Sequence, residues 1–203
     1  MVIVIDPGHG GRDSGIESQP ADPWSEKVLM MELARTLENR LEKKGFQVFL
    51  TRTGDESCSL LERMSLANRK NATVFISLHV GDRLGNRNPP ARFFIHRVPT
   101  YKEKSASLNK GRLVAWETAQ QNLKLQSRKV AEALRAAWEG QTAEIIEIPM
   151  AVLVGVNHPA VLAELPPPGG GKQEKKPGPE VWRSEAERLA SGIERYLSSR
   201  GNK

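Results

Sequence analysis

The chain has 203 residues, 38% of them hydrophobic and 27% charged, a balance that fits one ordinary soluble domain and excludes fibrous and wholly disordered classes. Thirty Lys and Arg against 24 Asp and Glu leave a formal charge of +6, which suits an anionic partner such as nucleic acid, a membrane surface or an acidic polymer without choosing among them. The single cysteine, Cys58, excludes an internal disulfide framework and a thiolate metal cage. Any metal site therefore falls to the four histidines and the carboxylates.

Val2 to Ile5 is a continuous β-branched apolar run, which reads as a strand covered on both faces. No basic stretch or long apolar run accompanies it, so the N-terminus predicts a strand rather than a secretory signal. No segment approaches the roughly 18 apolar residues of a membrane span, and no membrane insertion is expected. Asp6-Pro7-Gly8 and Gly10-Gly11 then predict a glycine-rich loop. From Ser25 the period becomes helical, with Val28, Leu29, Met31, Leu33, Leu37 and Leu41 on one face and Gly45 as the C-terminal stop. Phe46 to Thr51 predicts a second strand. Leu60 to Lys70 predicts a second helix with Leu61, Met64 and Ala67 inward, and Thr73 to His79 a third strand.

Further strands are expected over Arg92 to Val98, Ile145 to Val154 and Ala160 to Leu165. Between them a long helix from about Leu113 to Glu139 turns Val130, Leu134 and Trp138 to the core, and Val181 to Leu197 closes the chain as an amphipathic helix with Leu189, Ile193 and Leu197 on one side. The Pro- and Gly-rich segment 166–179 offers nothing apolar to bury except prolines, and reads as a mobile loop carrying Lys172, Lys175 and Lys176. Alternating strands and helices predict a single α/β domain over residues 1–203, with a twisted, mainly parallel sheet of about six strands and helices on both faces.

In such sheets ligands collect beyond the carboxyl ends of the strands. His9 lies in the loop after the first strand, His79 ends the third, and Glu26 opens the first long helix. Two imidazoles and a carboxylate form a recurrent ligand set for a hydrolytic zinc with a fourth position open to water. Glu17 and Glu32 compete with Glu26 on spacing alone. Glu164, after four apolar residues, is the candidate proton carrier if its strand lies beside that of His79. His96 and His158 read as structural, and Cys58 as a packing residue.

The run Val4-Ile-Asp-Pro-Gly-His-Gly-Gly-Arg-Asp-Ser-Gly15 resembles the opening motif of the zinc-dependent N-acetylmuramoyl-L-alanine amidases of the amidase_3 type, bacterial cell-wall enzymes. Thr51-Arg-Thr-Gly-Asp55, then Leu60, Arg63, Ala67-Asn68 and Val74-Phe-Ile-Ser-Leu-His79, resemble the same family in the same order. Pro159-Ala-Val-Leu-Ala-Glu164 resembles its segment bearing the catalytic glutamate. The resemblance implies Zn2+ on His9, Glu26 and His79, Glu164 as the catalytic residue, and Asp6 as a support for the His9 loop. It implies hydrolysis of the amide joining N-acetylmuramic acid to the L-alanine of the peptidoglycan stem peptide.

Peptidoglycan or a muropeptide is then the expected partner, with no nucleic acid, in the periplasm or the extracellular cell envelope. A monomer is expected, and a regulatory protein is left open. The chain departs from the family pattern in Val80-Gly81-Asp82 after His79, in Leu165 leading into Pro166-Pro-Pro-Gly-Gly-Gly after Glu164, and in a long segment between Arg97 and Lys129 that includes Trp116. The first two departures motivate the alternative of a non-catalytic amidase-like domain that binds cell wall or a protein partner.

Overall fold

The computed structural model describes residues 1–17, 24–81, 91–97, 119–166 and 179–200. Six strands run β1 (Val2–Pro7), β2 (Gln47–Leu50), β3 (Val74–Val80), β4 (Ala91–His96), β5 (Ala143–Ile148) and β6 (Ala160–Leu165). Four helices run α1 (Glu26–Lys43), α2 (Leu60–Arg69), α3 (Ala119–Ala136) and α4 (Pro179–Arg200). The strands form one sheet in the order β2-β1-β3-β6-β4-β5. Every neighbouring pair is parallel except β4 with β6. The expected six-stranded, mainly parallel α/β domain is the one observed.

Strand alternation sorts the core into two halves. Ile3, Ile5, Ile76, Leu78, Phe93, Val161 and Ala163 face α1, α3 and α4, with Leu33, Leu37, Val130, Leu134, Trp138, Leu189 and Ile193 packed on them. Helix α4 packs against both α1 and α3. On the other face Val4, Phe75, Phe94 and Leu162 meet Ala67 of α2 and the short 3-10 turn Ala151–Leu153. That second face also carries Asp6, Ser77, His79, Glu164 and Arg92, in alternation with the first set. The polar groups therefore share one side and one end of the sheet.

Several boundaries differ from expectation for identifiable reasons. Strand β5 ends at Ile148 because Pro149 follows and cannot donate to the ladder. In α1 the buried stripe is Glu26, Leu29, Met30, Leu33, Ala34, Leu37 and Leu41, while Val28 is 39% exposed. At 3.6 residues per turn Val28 stands about 200° round from Glu26, so seating Glu26 inward turns Val28 out. In α2 the expected inward Leu61 is 66% exposed and Arg63 is buried with Ala67. That helix turns a guanidinium, not a leucine, onto the sheet, because the acceptors waiting there need a cation. Residues 167–178 of the expected loop 166–179, the segment around Trp116, Val98 and Asp82 lie outside the described residues, and Pro179 opens α4.

Candidate metal centre

Strand β1 ends in Asp6-Pro7, and the chain beyond it is gripped by two arginines. Arg63 of α2 donates from Nη1 to the Asp6 carboxylate and, at 3.0 Å, to the Pro7 carbonyl. Its Nη2 donates to the His9 carbonyl at 2.8 Å. Arg52, just after β2, donates to the carbonyls of Pro7 at 3.0 Å and Gly8 at 2.8 Å. Asp6 is fully buried and also accepts from the hydroxyls of Thr51 and of Ser77, the latter at 2.6 Å. A buried carboxylate needs this degree of satisfaction. The expectation that Asp6 supports the His9 loop holds, and Arg63 is the intermediary.

Held this way, His9 adopts φ 61°, a left-handed conformation uncommon outside glycine. Its Nδ1 lies 2.9 Å from the Asp13 carboxylate, so the ring is oriented from behind. Its Nε2 lies 3.1 Å from Oε1 of Glu26 and 3.2 Å from Nδ1 of His79. The third side of the triangle, His79 Nδ1 to Glu26 Oε1, is 3.1 Å. Gly15, at φ 65°, closes over this group: a Cβ there would stand 2.6 Å from Oε2 of Glu26 and 2.7 Å from the His9 ring.

Glu26 is 2% exposed and accepts from the backbone N–H of Ile16 at 3.0 Å and of Val80 at 2.9 Å. Burial alone would raise its pKa. The hydrogen bonds from His79, His9, Ile16 and Val80 outweigh burial and hold the carboxylate far below its ordinary range. The bond to Glu26 is the largest influence on His9 and raises its imidazole above the usual value, against burial and with added help from Asp13.

These three atoms stand 3.1 to 3.2 Å from one another, close enough that protons or a cation must sit among them. A tetrahedral zinc with bonds of about 2.0–2.1 Å spaces its ligands about 3.4 Å apart. The observed triangle falls close to that spacing, and nitrogen and carboxylate oxygen are donors zinc accepts. Among the described residues His9, Glu26 and His79 form the group able to hold a metal ion. Glu17 and Glu32 are not part of it. His96 is buried and accepts from the Met150 N–H at 2.9 Å, and neither it nor His158 joins the group.

Glu164 is the register partner of His79 in the parallel β3–β6 pairing, so the two side chains emerge side by side on one face. The condition set for Glu164 is met. Its Oε1 accepts from Nη1 of Arg92 at 3.0 Å, across the antiparallel β4–β6 pair.

The family model of N-acetylmuramoyl-L-alanine amidases matches residues 3–166. The chain belongs to this amidase family. It is 27% identical over 223 residues to the amidase AmiC of Neisseria meningitidis serogroup B, covering 98% of this chain and 53% of the relative. It is 41% identical over 80 residues to CwlM of Bacillus licheniformis, covering 38% of this chain and 30% of that protein. The chain thus spans about half, or less, of the length of such relatives. The solved N-acetylmuramoyl-L-alanine amidase of Clostridium difficile 630 superposes with a TM-score of 0.69 at 27% identity, covering 98% of both chains. No helix among the described residues is long and apolar enough to cross a membrane.

Within this amidase-family chain the sequence reading missed the partners rather than the principals. Arg52 and Arg63 entered only as motif positions, and Arg92 only as the start of a strand. The available signal for Arg63 was its place on the same helical stripe as Ala67, facing a strand that ends in an aspartate. Gly81, one of the departures after His79, lies against Glu164: a Cβ there would stand 2.9 Å from Oε1.

Proposed function

We propose that the chain is a zinc-dependent hydrolase that cuts the amide between the lactyl group of N-acetylmuramic acid and the L-alanine of the peptidoglycan stem peptide. The observation that carries this reading is the convergence of His9 Nε2, Glu26 Oε1 and His79 Nδ1, with Glu164 beside it on the next strand. Family membership supplies the bond and the substrate class. Residues 1–203 act as one catalytic domain, and the substrate locates the work in the bacterial cell envelope.

His9, Glu26 and His79 hold the zinc. When bound, the ion supplies Lewis acidity that polarises the scissile carbonyl and acidifies water. Asp13 orients His9, while the backbone N–H groups of Ile16 and Val80 fix Glu26 as a carboxylate. Glu164 removes a proton from the attacking water as its oxygen bonds to the carbonyl carbon. Glu164 then returns the proton to the departing nitrogen as the C–N bond breaks. The lactyl carboxylate and the free amino group of L-alanine are the products.

A sedimentation and turbidity experiment with purified sacculi separates catalysis from binding. Wild type and Glu164→Ala should bind sacculi alike, and wild type alone should clear the suspension. Equal clearing by both, or by neither at stoichiometric zinc, would refute the catalytic reading.

A further inference from the structure

We propose that Arg92 is a positioning residue for Glu164, holding Oε1 so that Oε2 is the oxygen that carries the proton. This rests on the amidase reading above and adds a residue to it.

His79, Glu164, Arg92 and Glu144 are successive register partners across β3, β6, β4 and β5. Register partners share a face, so these side chains form one row across four strands at the metal end of the sheet. Charge alternates along the row beyond His79. Arg92 donates from Nη1 to Glu164 Oε1 at 3.0 Å, and its Nε lies 3.7 Å from Oε2 of Glu144. The guanidinium is itself pulled from the far side, so it cannot swing onto the metal ligands without leaving Glu144.

On the other flank Gly81 leaves space that Glu164 fills. A Cβ there would meet Oε1 at 2.9 Å and Cγ at 3.0 Å. Glu164 is bracketed between the Arg92 guanidinium and the backbone at Gly81. Partly exposed ion pairs contribute little to folding, so the consequence of this pair is geometric. A glutamate has three free torsions, and a proton carrier must stay within hydrogen-bond reach of the groups it serves. Misplacement by about 1 Å can cost on the order of 100-fold in rate. Arginine suits the task because its planar fork fixes direction as well as charge, whereas a lysine supplies charge alone.

The test is steady-state hydrolysis of a soluble muropeptide by zinc-loaded wild type, Arg92→Gln, Arg92→Lys, Glu164→Gln and the Arg92→Gln/Glu164→Gln double variant, with zinc content and Tm measured for each. Arg92→Gln should lower kcat by about 10- to 100-fold with KM, zinc content and Tm unchanged, and Arg92→Lys should recover part of the loss. In the Glu164→Gln background Arg92→Gln should add nothing. A raised KM at unchanged kcat would make Arg92 a substrate contact instead, and a further loss on top of Glu164→Gln would separate its action from Glu164. Either result overturns the proposal, as does a wild-type rate in Arg92→Gln while Glu164→Gln is inactive, which leaves the amidase reading standing. No hydrolysis by wild type overturns both.

Discussion

Glu164 and His79 are Cα partners across the parallel β3–β6 pairing, one strand spacing apart on the same face of the sheet. One of them belongs to the converging ligand triangle and the other does not. Glu164→Gln should therefore keep full zinc content while hydrolysis falls by about 10²- to 10⁴-fold, the range for losing a positioned acid–base group. Metal analysis and a rate assay on one preparation check it; loss of zinc would contradict the division of roles.

Glu26 belongs both to the candidate metal triangle and to the hydrogen bonding of the fold. Its two oxygens accept from the backbone N–H groups of Ile16 and Val80 as well as facing the imidazoles. Glu26→Ala should abolish stoichiometric zinc binding. It should also destabilise the metal-free protein by about 1–3 kcal/mol, the cost of leaving a buried partner unsatisfied. Urea unfolding in the presence of a chelator measures the second effect apart from the first, and an unchanged midpoint would refute it.

The loop that presents His9 depends on Arg63, the buried cation nearest Asp6. Arg63→Ala leaves a buried carboxylate without its cation and takes a donor from each of the Pro7 and His9 carbonyls, Pro7 keeping that of Arg52, so a loss of about 3–5 kcal/mol is expected. Arg63→Lys should recover only part of it, since one ammonium cannot span Asp6, Pro7 and His9. Full recovery by lysine would show that charge alone matters.

Acidity acts on His9 and Glu26 in opposite senses. The His9 pKa is raised above 6.5 in the fold, so its contribution to the metal-free protein is complete below about pH 6.5 and disappears as pH rises through the raised value. The Glu26 pKa is lowered from 4.5, so its contribution is present above about pH 4.5 and is lost as pH falls through the lowered value. Metal-free protein is expected to gain most from this pair between those limits. Zinc needs both imidazoles deprotonated, so saturating zinc should raise Tm more at about pH 8 than at about pH 6. A zinc-induced shift that is flat over that interval would contradict this coupling.

The candidate ligands and the proposed proton carrier could be picked out because they sit at the ends of strands and at the start of a helix, where a run of apolar residues stops at a charge. His79 and Glu164 each follow such a run, and the topology then set them side by side. The supports were harder to read. Arg63 falls outside the inward set of Leu61, Met64 and Ala67 that periodicity picks, and only the three-dimensional demand of Asp6 and the Pro7 and His9 carbonyls rolls α2 to bury it. Val28 was misplaced for the related reason that Glu26 fixes the rotation of α1. Arg92 was invisible as a partner of Glu164 because the antiparallel β4–β6 pairing joins positions 72 residues apart. Periodicity reports which face is apolar, and it is silent where a polar network decides the rotation.

The most direct measurement is mass spectrometry of the products that the zinc-loaded protein releases from purified peptidoglycan. Free stem peptides beginning with an unblocked L-alanine, alongside glycan strands whose lactyl groups end in carboxylates, are the predicted result. Intact muropeptides after prolonged incubation, with one zinc bound per chain, or cleavage at any other bond would contradict the account.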